Sequence, residues 1–186
     1  MNESEDDLIQ RAVTGNRQAF AALVGSHQAR VFHFIRRLLG CSDEAADLTQ
    51  ETFIRAFQAL PRWRPEARFQ TWLLQIARNA ALDTLRKRRR HAEDPLEDHA
   101  ELVDPAPSPL KQLESGRRLM LLERLLAGLP QEQREILLLR EVEGLSYDEL
   151  AATLQINTGT VKSRLARARG ALLRAYRQAH GGHTDD

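Results

Sequence analysis

Between Thr158 and Gln178 the chain carries six arginines and lysines and no acid. Wound as a helix, Val161, Leu165, Ala168 and Leu172 make one apolar line, and Thr160, Lys162, Ser163, Arg164 and Arg167 fall on the opposite face. These side chains suit recognition of a polyanion that has readable edges. Arginine and lysine bond guanine, while serine and threonine bond bases or phosphates. Arg169, Arg174 and Arg177 extend the positive surface and suit phosphate contacts, which add affinity without sequence choice. A helix that begins at Thr158 also offers free N–H groups near Thr160 to a phosphate. The expected ligand is duplex DNA entered through its major groove. The plainer reading is a solvated basic face on an ordinary bundle.

A second basic cluster, Arg86 to Arg90, closes a helix expected over roughly Arg68 to Arg89. Arg78, Asn79, Arg86, Lys87 and Arg88 supply donors and charge, and Asp83 is placed to orient an arginine. Such a surface can track a single strand. Trp63, in the segment Arg62 to Arg68, reads as either core or surface. Phe69 and Trp72 read as core. On an earlier helix, Asp47, Gln50, Glu51 and Ile54 share one face. That acidic strip with one branched apolar residue reads either as a protein-docking surface or as a solvated face on which Glu51 pairs with Arg55.

No catalytic set accompanies these features. His27, His33, His91, His99, His180 and His183 are scattered, and none sits at metal-ligand spacing with Cys41 or a carboxylate. No glycine loop cradles a phosphate. Neither a metal, a cofactor nor a small-molecule substrate is expected.

All these residues must be positioned by helices. Ala, Leu, Arg, Glu and Gln dominate the 186 residues, while Val, Ile and Tyr are sparse, so the fold class is all-α, two small helical domains joined by a flexible acidic linker containing prolines. The first domain is expected over residues 1–90, the linker over 91–116, the second domain over 117–178 and a disordered tail over 179–186. Before the linker, one apolar stripe runs from Leu8 to Val13 and stops at Gly15. Asn16 caps a second helix through Val24, and a third passes Val31, Phe34, Ile35 and Leu38 to Gly40. Ser42 is the expected cap of the next, whose buried face is Ala45, Leu48, Phe53, Ala56, Phe57 and Leu60, ended by Pro61. Beyond the linker, Leu119, Leu122, Leu125 and Leu126 mark a helix that Gly128 breaks. Pro130 opens the next, and Gly144 ends it. Ser146 and Glu149 form a capping box over Tyr147 to Leu154. Ile156 plugs the turn before the basic helix.

Net charge is only +1, but local patches decide where a polyanion docks. Acids collect from Glu3 to Asp7 and from Glu93 to Asp104. Pro95, Pro105, Pro107 and Pro109 break the second acidic stretch and remove backbone donors. It reads as a passive tether or as a strand that mimics nucleic acid in a partner's channel. One cysteine excludes an internal disulfide. No apolar run approaches the roughly 20 residues of a membrane span, and the polar N-terminus is no signal peptide. The chain reads as cytoplasmic.

The stretch Gly159-Thr-Val-Lys-Ser-Arg-Leu-Ala-Arg-Ala-Arg169 resembles the recognition helix of bacterial sigma factors. Leu129-Pro-Gln-Glu-Gln-Arg-Glu and Glu143-Gly-Leu-Ser-Tyr-Asp-Glu-Leu-Ala151 match the elements before it. Asp47-Leu-Thr-Gln-Glu-Thr-Phe53 is similar to the helix by which these factors grip the RNA polymerase clamp. Phe69-Gln-Thr-Trp-Leu-Leu-Gln-Ile-Ala-Arg-Asn79, with Asp83 and Arg86 to Arg88, is similar to the segment that reads and opens the −10 promoter element. Motif order and length fit the small extracytoplasmic-function (ECF) class. Gln155 departs from the pattern, because that turn position is often glycine.

The resemblance implies core polymerase as partner, through the β′ clamp helices and the β flap. It implies promoter DNA read at −10 by Trp63, Arg78, Asn79, Asp83, Arg86, Lys87 and Arg88. At −35 the implied readers are Thr158, Thr160, Lys162, Ser163, Arg164, Arg167 and Arg169. Asp47, Gln50, Glu51 and Ile54 would dock on the clamp, and an anti-sigma factor would occlude the polymerase-binding surfaces. The rival readings are a stand-alone helix-turn-helix regulator and an adaptor that binds polymerase without reading a promoter.

Overall fold

The computed structural model describes residues 4–92 and 111–181, all helix and turn. They fall into two compact units, Met1–Leu102 and Val103–Asp186. The prolines and acids of 93–110 and the tail beyond 181 lie outside the described residues.

The first unit holds α1 (Glu5–Val13), α2 (Arg17–Leu39), α3 (Ser42–Ala59), a 3₁₀ turn (Leu60–Arg62) and α4 (Phe69–Ala92). Ser4 caps α1, and the Asn16 side chain accepts from Ala19 N to cap α2. α2 is one helix, where two were expected, one through Val24 and one passing Val31 to Gly40. Gly25 sits within it, and glycine there costs about 1 kcal/mol relative to alanine. Leu23, His27, Val31, Phe34, Ile35 and Leu38 nonetheless keep one buried line through it. Each such large apolar side chain contributes about 1.5–3 kcal/mol on burial, so tertiary packing outweighs the local break. Gly40, at φ 76°, ends the helix, and its N–H closes on Arg36 O.

Two details of α3 differ from expectation. The capping position is Cys41, with no side-chain bond, and Ser42 is already helical. Phe57 is 39% exposed, its ring 5.0 Å from Phe20. Thr52, not expected on the buried face, is interior, with its hydroxyl donating to Leu48 O.

The second unit holds α5 (Lys111–Ala127), α6 (Gln131–Leu137) running into a π-helical turn (Leu138–Val142), α7 (Tyr147–Leu154) and α8 (Thr158–Gly181). α5 therefore starts before the expected boundary at 117. Leu119 and Leu122 on it remain largely exposed, while Leu126 is buried. Pro130 is the cap of α6 rather than its first residue. Arg134 donates to Ala127 O and Leu129 O, satisfying carbonyls left open at the end of α5. Burial draws its guanidinium below the ordinary value. In the π turn, Glu143 N reaches back to Leu138 O and Leu145 N to Leu139 O, both 3.0 Å. Gly144, at φ 73°, then turns the chain into α7. The core is Ile136 to Leu139, Leu145, Leu150, Leu154, Val161, Leu165 and Ala168.

Candidate nucleic-acid interface

The helix-turn-helix is built from α7, a three-residue turn and α8. The Ser146 hydroxyl accepts from Glu149 N, and the Glu149 carboxylate accepts from Ser146 N, so the capping box is complete. The turn needs one left-handed residue, and Gln155 supplies it at φ 55° and ψ 46°. Ile156 N then bonds Ala151 O at 3.0 Å, and Ile156 is half-buried against the turn. Asn157 caps α8: its Oδ1 accepts from Thr160 N at 2.7 Å and from the Thr160 hydroxyl at 2.9 Å. Sequence reading missed that role, although an Asn three residues before Thr160 at a helix start is a recognisable cap signature.

On α8, Val161, Leu165 and Ala168 are buried, and Thr158, Lys162, Ser163, Arg167 and Arg169 are exposed. Thr160 and Arg164 are half-buried. The Ser163 hydroxyl donates to Thr160 O, and Arg167 Nε reaches Ser163 O. Two of the expected DNA contacts are engaged within the unit. Arg164 faces Glu132 of α6 at 3.6 Å. Arg169 donates from Nε at 2.9 Å and Nη2 at 2.6 Å to one oxygen of Glu141. That bond, with the carboxylate's charge, raises the Arg169 pKa. Glu141 sits on the π turn beside Arg140, which lies 5.0 Å over the Tyr147 ring and donates to Leu145 O. No local pattern announces these pairs, since Glu141 and Arg169 are 28 residues apart.

In the first unit, α3 and the end of α4 border one groove. Leu48, Glu51 and Arg55 line one side, and Ala80, Asp83, Thr84, Arg86, Lys87 and Arg90 line the other. The acidic strip and the basic helix end, read separately from sequence, are thus neighbours. Asp47, Gln50 and Ile54 are exposed, Ile54 at 57%. Glu51 is half-buried and pairs with Arg55 at 2.5 Å. Asp83 does orient an arginine, bonding Arg86 at 3.0 Å. Lys87 and Asn79 are exposed, and Arg78 donates to Asn79 Oδ1 at 3.3 Å. Arg88 is drawn inward: its Nε and Nη2 bond both Glu44 oxygens, and its Nη1 bonds Leu39 O.

Trp63 is half-buried. Its ring lies 6.1 Å from Phe69 and 6.2 Å from Trp72, and Phe69 also packs on buried His27, whose Nε2 is 2.6 Å from Glu5. The two ends of the segment 64–68 are thereby tied together, while its own residues stand exposed. Among the described residues, no group of three or more His, Cys, Asp or Glu is placed to hold a metal ion. No described helix is long and apolar enough to cross a membrane.

Two helical units, one carrying a capped helix-turn-helix with a basic outer face, have the architecture of a DNA-binding protein. The comparisons narrow the class. Sigma-70 region 2 matches residues 23–91, and sigma-70 region 4 matches residues 119–172. The RNA polymerase sigma-H factor of Pseudomonas aeruginosa is 38% identical over 182 residues, covering 93% of this chain and 94% of that one. The ECF RNA polymerase sigma-E factor of Escherichia coli K12 is 36% identical over 174 residues, covering 89% and 90%. Among solved structures, CnrH in complex with the cytosolic domain of CnrY superposes with a TM-score of 0.70 at 27% identity, covering 95% of this chain and 99% of that one. RpoE of Bartonella quintana in complex with the anti-sigma factor NepR gives 0.71 at 27%, covering 85% and 96%. The chain belongs to the ECF sigma factors of the sigma-70 superfamily, a family of transcription initiation factors.

Proposed function

We propose that this chain binds core RNA polymerase through α3, opens and reads a −10 element with α4 and the segment before it, and reads a −35 element with α8. The observation that carries the reading is the outer strip of α8. Thr160, Ser163 and Arg167 stand on the side opposite Val161, Leu165 and Ala168, with Lys162 exposed beside them. A core-packed helix with that strip turned outward fits a major groove. Thr158 adds the open helix start, and Arg164 and Arg169 border the strip.

On the first unit, exposed Asp47, Gln50 and Ile54, with Glu51 beside them, form the surface for the β′ clamp helices. Arg78, Asn79, Arg86 and Lys87, with Asp83 orienting Arg86, track the opened strand. Arg88 contributes by fixing that helix end. Trp63 braces the exposed segment 64–68, which receives the extruded base. The two units act as sigma regions 2 and 4, with the β flap as the further polymerase contact of the second.

The chain performs no catalysis of its own, since phosphodiester chemistry belongs to the polymerase, and it works in the cytoplasm. An anti-sigma factor is its regulatory partner, as the relatives solved with CnrY and NepR suggest. The test is transcription in vitro. Added to core polymerase, this chain should produce starts at defined positions on a library of promoter fragments. Operator binding without any effect on polymerase starts would favour a stand-alone regulator, and polymerase binding without defined starts would favour an adaptor.

A further inference from the structure

The outward strip of α8 is bordered on both sides by an arginine that another element already holds. Arg164 lies one residue before buried Leu165, and Arg169 one residue after buried Ala168, so helical geometry places them on opposite flanks of the exposed arc. Glu132 faces the first from α6 at 3.6 Å. Glu141 holds the second from the π turn with two bonds to one oxygen. Between the flanks, Ser163 and Arg167 bond only backbone oxygens of their own helix in the contacts described above.

We infer that Glu132 and Glu141 set the roll of α8 in the DNA groove by holding the flanking arginines off the phosphates. This rests on the reading of α8 as a DNA-reading helix. Were Lys162, Arg164, Arg167 and Arg169 all free, the helix could grip the backbone at several settings about its own axis. Each setting would present a different row of side chains to the base edges. With both flanks neutralised, the free positive charge is concentrated near Arg167 and Lys162. Rolling the helix either way then brings a carboxylate toward the phosphates. Specificity gained by penalising wrong docking needs no new contact to the right sequence. The π turn matters here because it carries Glu141 to the Arg169 flank, while Arg140 on the same turn is fixed over Tyr147 at the start of α7.

The test uses the full chain assembled with core polymerase and a template library randomised across the upstream element. Transcripts are sequenced, and salt dependence is measured on one enriched template. Glu141→Gln and Glu132→Gln should broaden the enriched set. The preference for the best element over the median should fall about two- to five-fold, the scale of one exposed ion pair. The salt slope should steepen by about 0.9 for each released arginine. The Glu141→Gln effect should vanish in an Arg169→Gln background. The swapped pair, Glu141→Arg with Arg169→Glu, should return a narrow set and so guard against a trivial folding defect. An equal effect of Glu141→Gln with and without Arg169 would mean simple loss of negative charge and would overturn the inference. So would an unchanged enriched set. A parent chain that enriched no element at all would instead overturn the reading of α8 itself.

Discussion

Replacing Arg88 separates a structural role from a DNA contact. Its guanidinium ties the end of α4 to the last turn of α2, through Leu39 O, and to the first turn of α3, through Glu44. The arginine suits the negative end of α2, and Glu44 suits the positive start of α3. The two side chains are 39% and 41% exposed, so water screens the ion pair. After that discount the pair contributes about 0.5 kcal/mol. The bond to the Leu39 carbonyl contributes about 1 kcal/mol. Arg88→Gln should therefore destabilise the first unit by about 1.5 kcal/mol. For a unit of this size that lowers Tm by about 6–12 °C. The assay is convenient, because both tryptophans, Trp63 and Trp72, lie in that unit. Denaturant titration followed by tryptophan fluorescence should show an earlier midpoint at unchanged slope. The salt dependence of single-strand binding should stay as in the parent. An unchanged midpoint together with a salt slope reduced by about 0.7 would refute the reasoning and make Arg88 a phosphate contact.

Charge reversal at Asp47, to lysine, should weaken assembly with core polymerase while leaving −35 duplex binding by the second unit unaltered, as measured by co-sedimentation and anisotropy. Arg167→Ala should cost about 1–3 kcal/mol at the preferred −35 element and relax base choice at one position. Arg174→Ala should weaken all duplexes alike and reduce the salt slope by about 0.9. Gln155→Gly should stabilise the second unit by about 0.5 kcal/mol, since relief of the left-handed penalty exceeds glycine's greater freedom in the unfolded chain. A lower unfolding midpoint for that variant would contradict the assignment.

The elements most legible in the sequence were those whose signals are local. The capping box at Ser146 and Glu149 and the line Val161, Leu165 and Ala168 each depend on residues within one or two turns. The division of α2 misled because the apolar residues leave a gap between Val24 and Val31, which buried His27 bridges in the folded unit. Phe57 misled because an aromatic at the margin of the buried face looks interior, and Thr52 because a polar residue type hid its place at the centre of that face. The two basic surfaces were legible as charge, but which arginines are already engaged was not. Arg88, Arg164 and Arg169 find their carboxylates 44, 32 and 28 positions away, counting from Glu44, Glu132 and Glu141. Only the tertiary fold brings those partners together.

The π turn at Leu138–Val142 puts one residue more into that loop of backbone than a regular helix would hold. Removing a single residue there would restore an even ladder, and by local criteria the helix would improve. Everything beyond it would then be rephased by about 100°. Leu138 and Leu139 would still face inward, but the chain would leave toward α7 on another bearing. Arg140 and Glu141 could not both keep their places. The irregularity acts as a spacer in the angular sense, and relatives that vary in length should do so elsewhere.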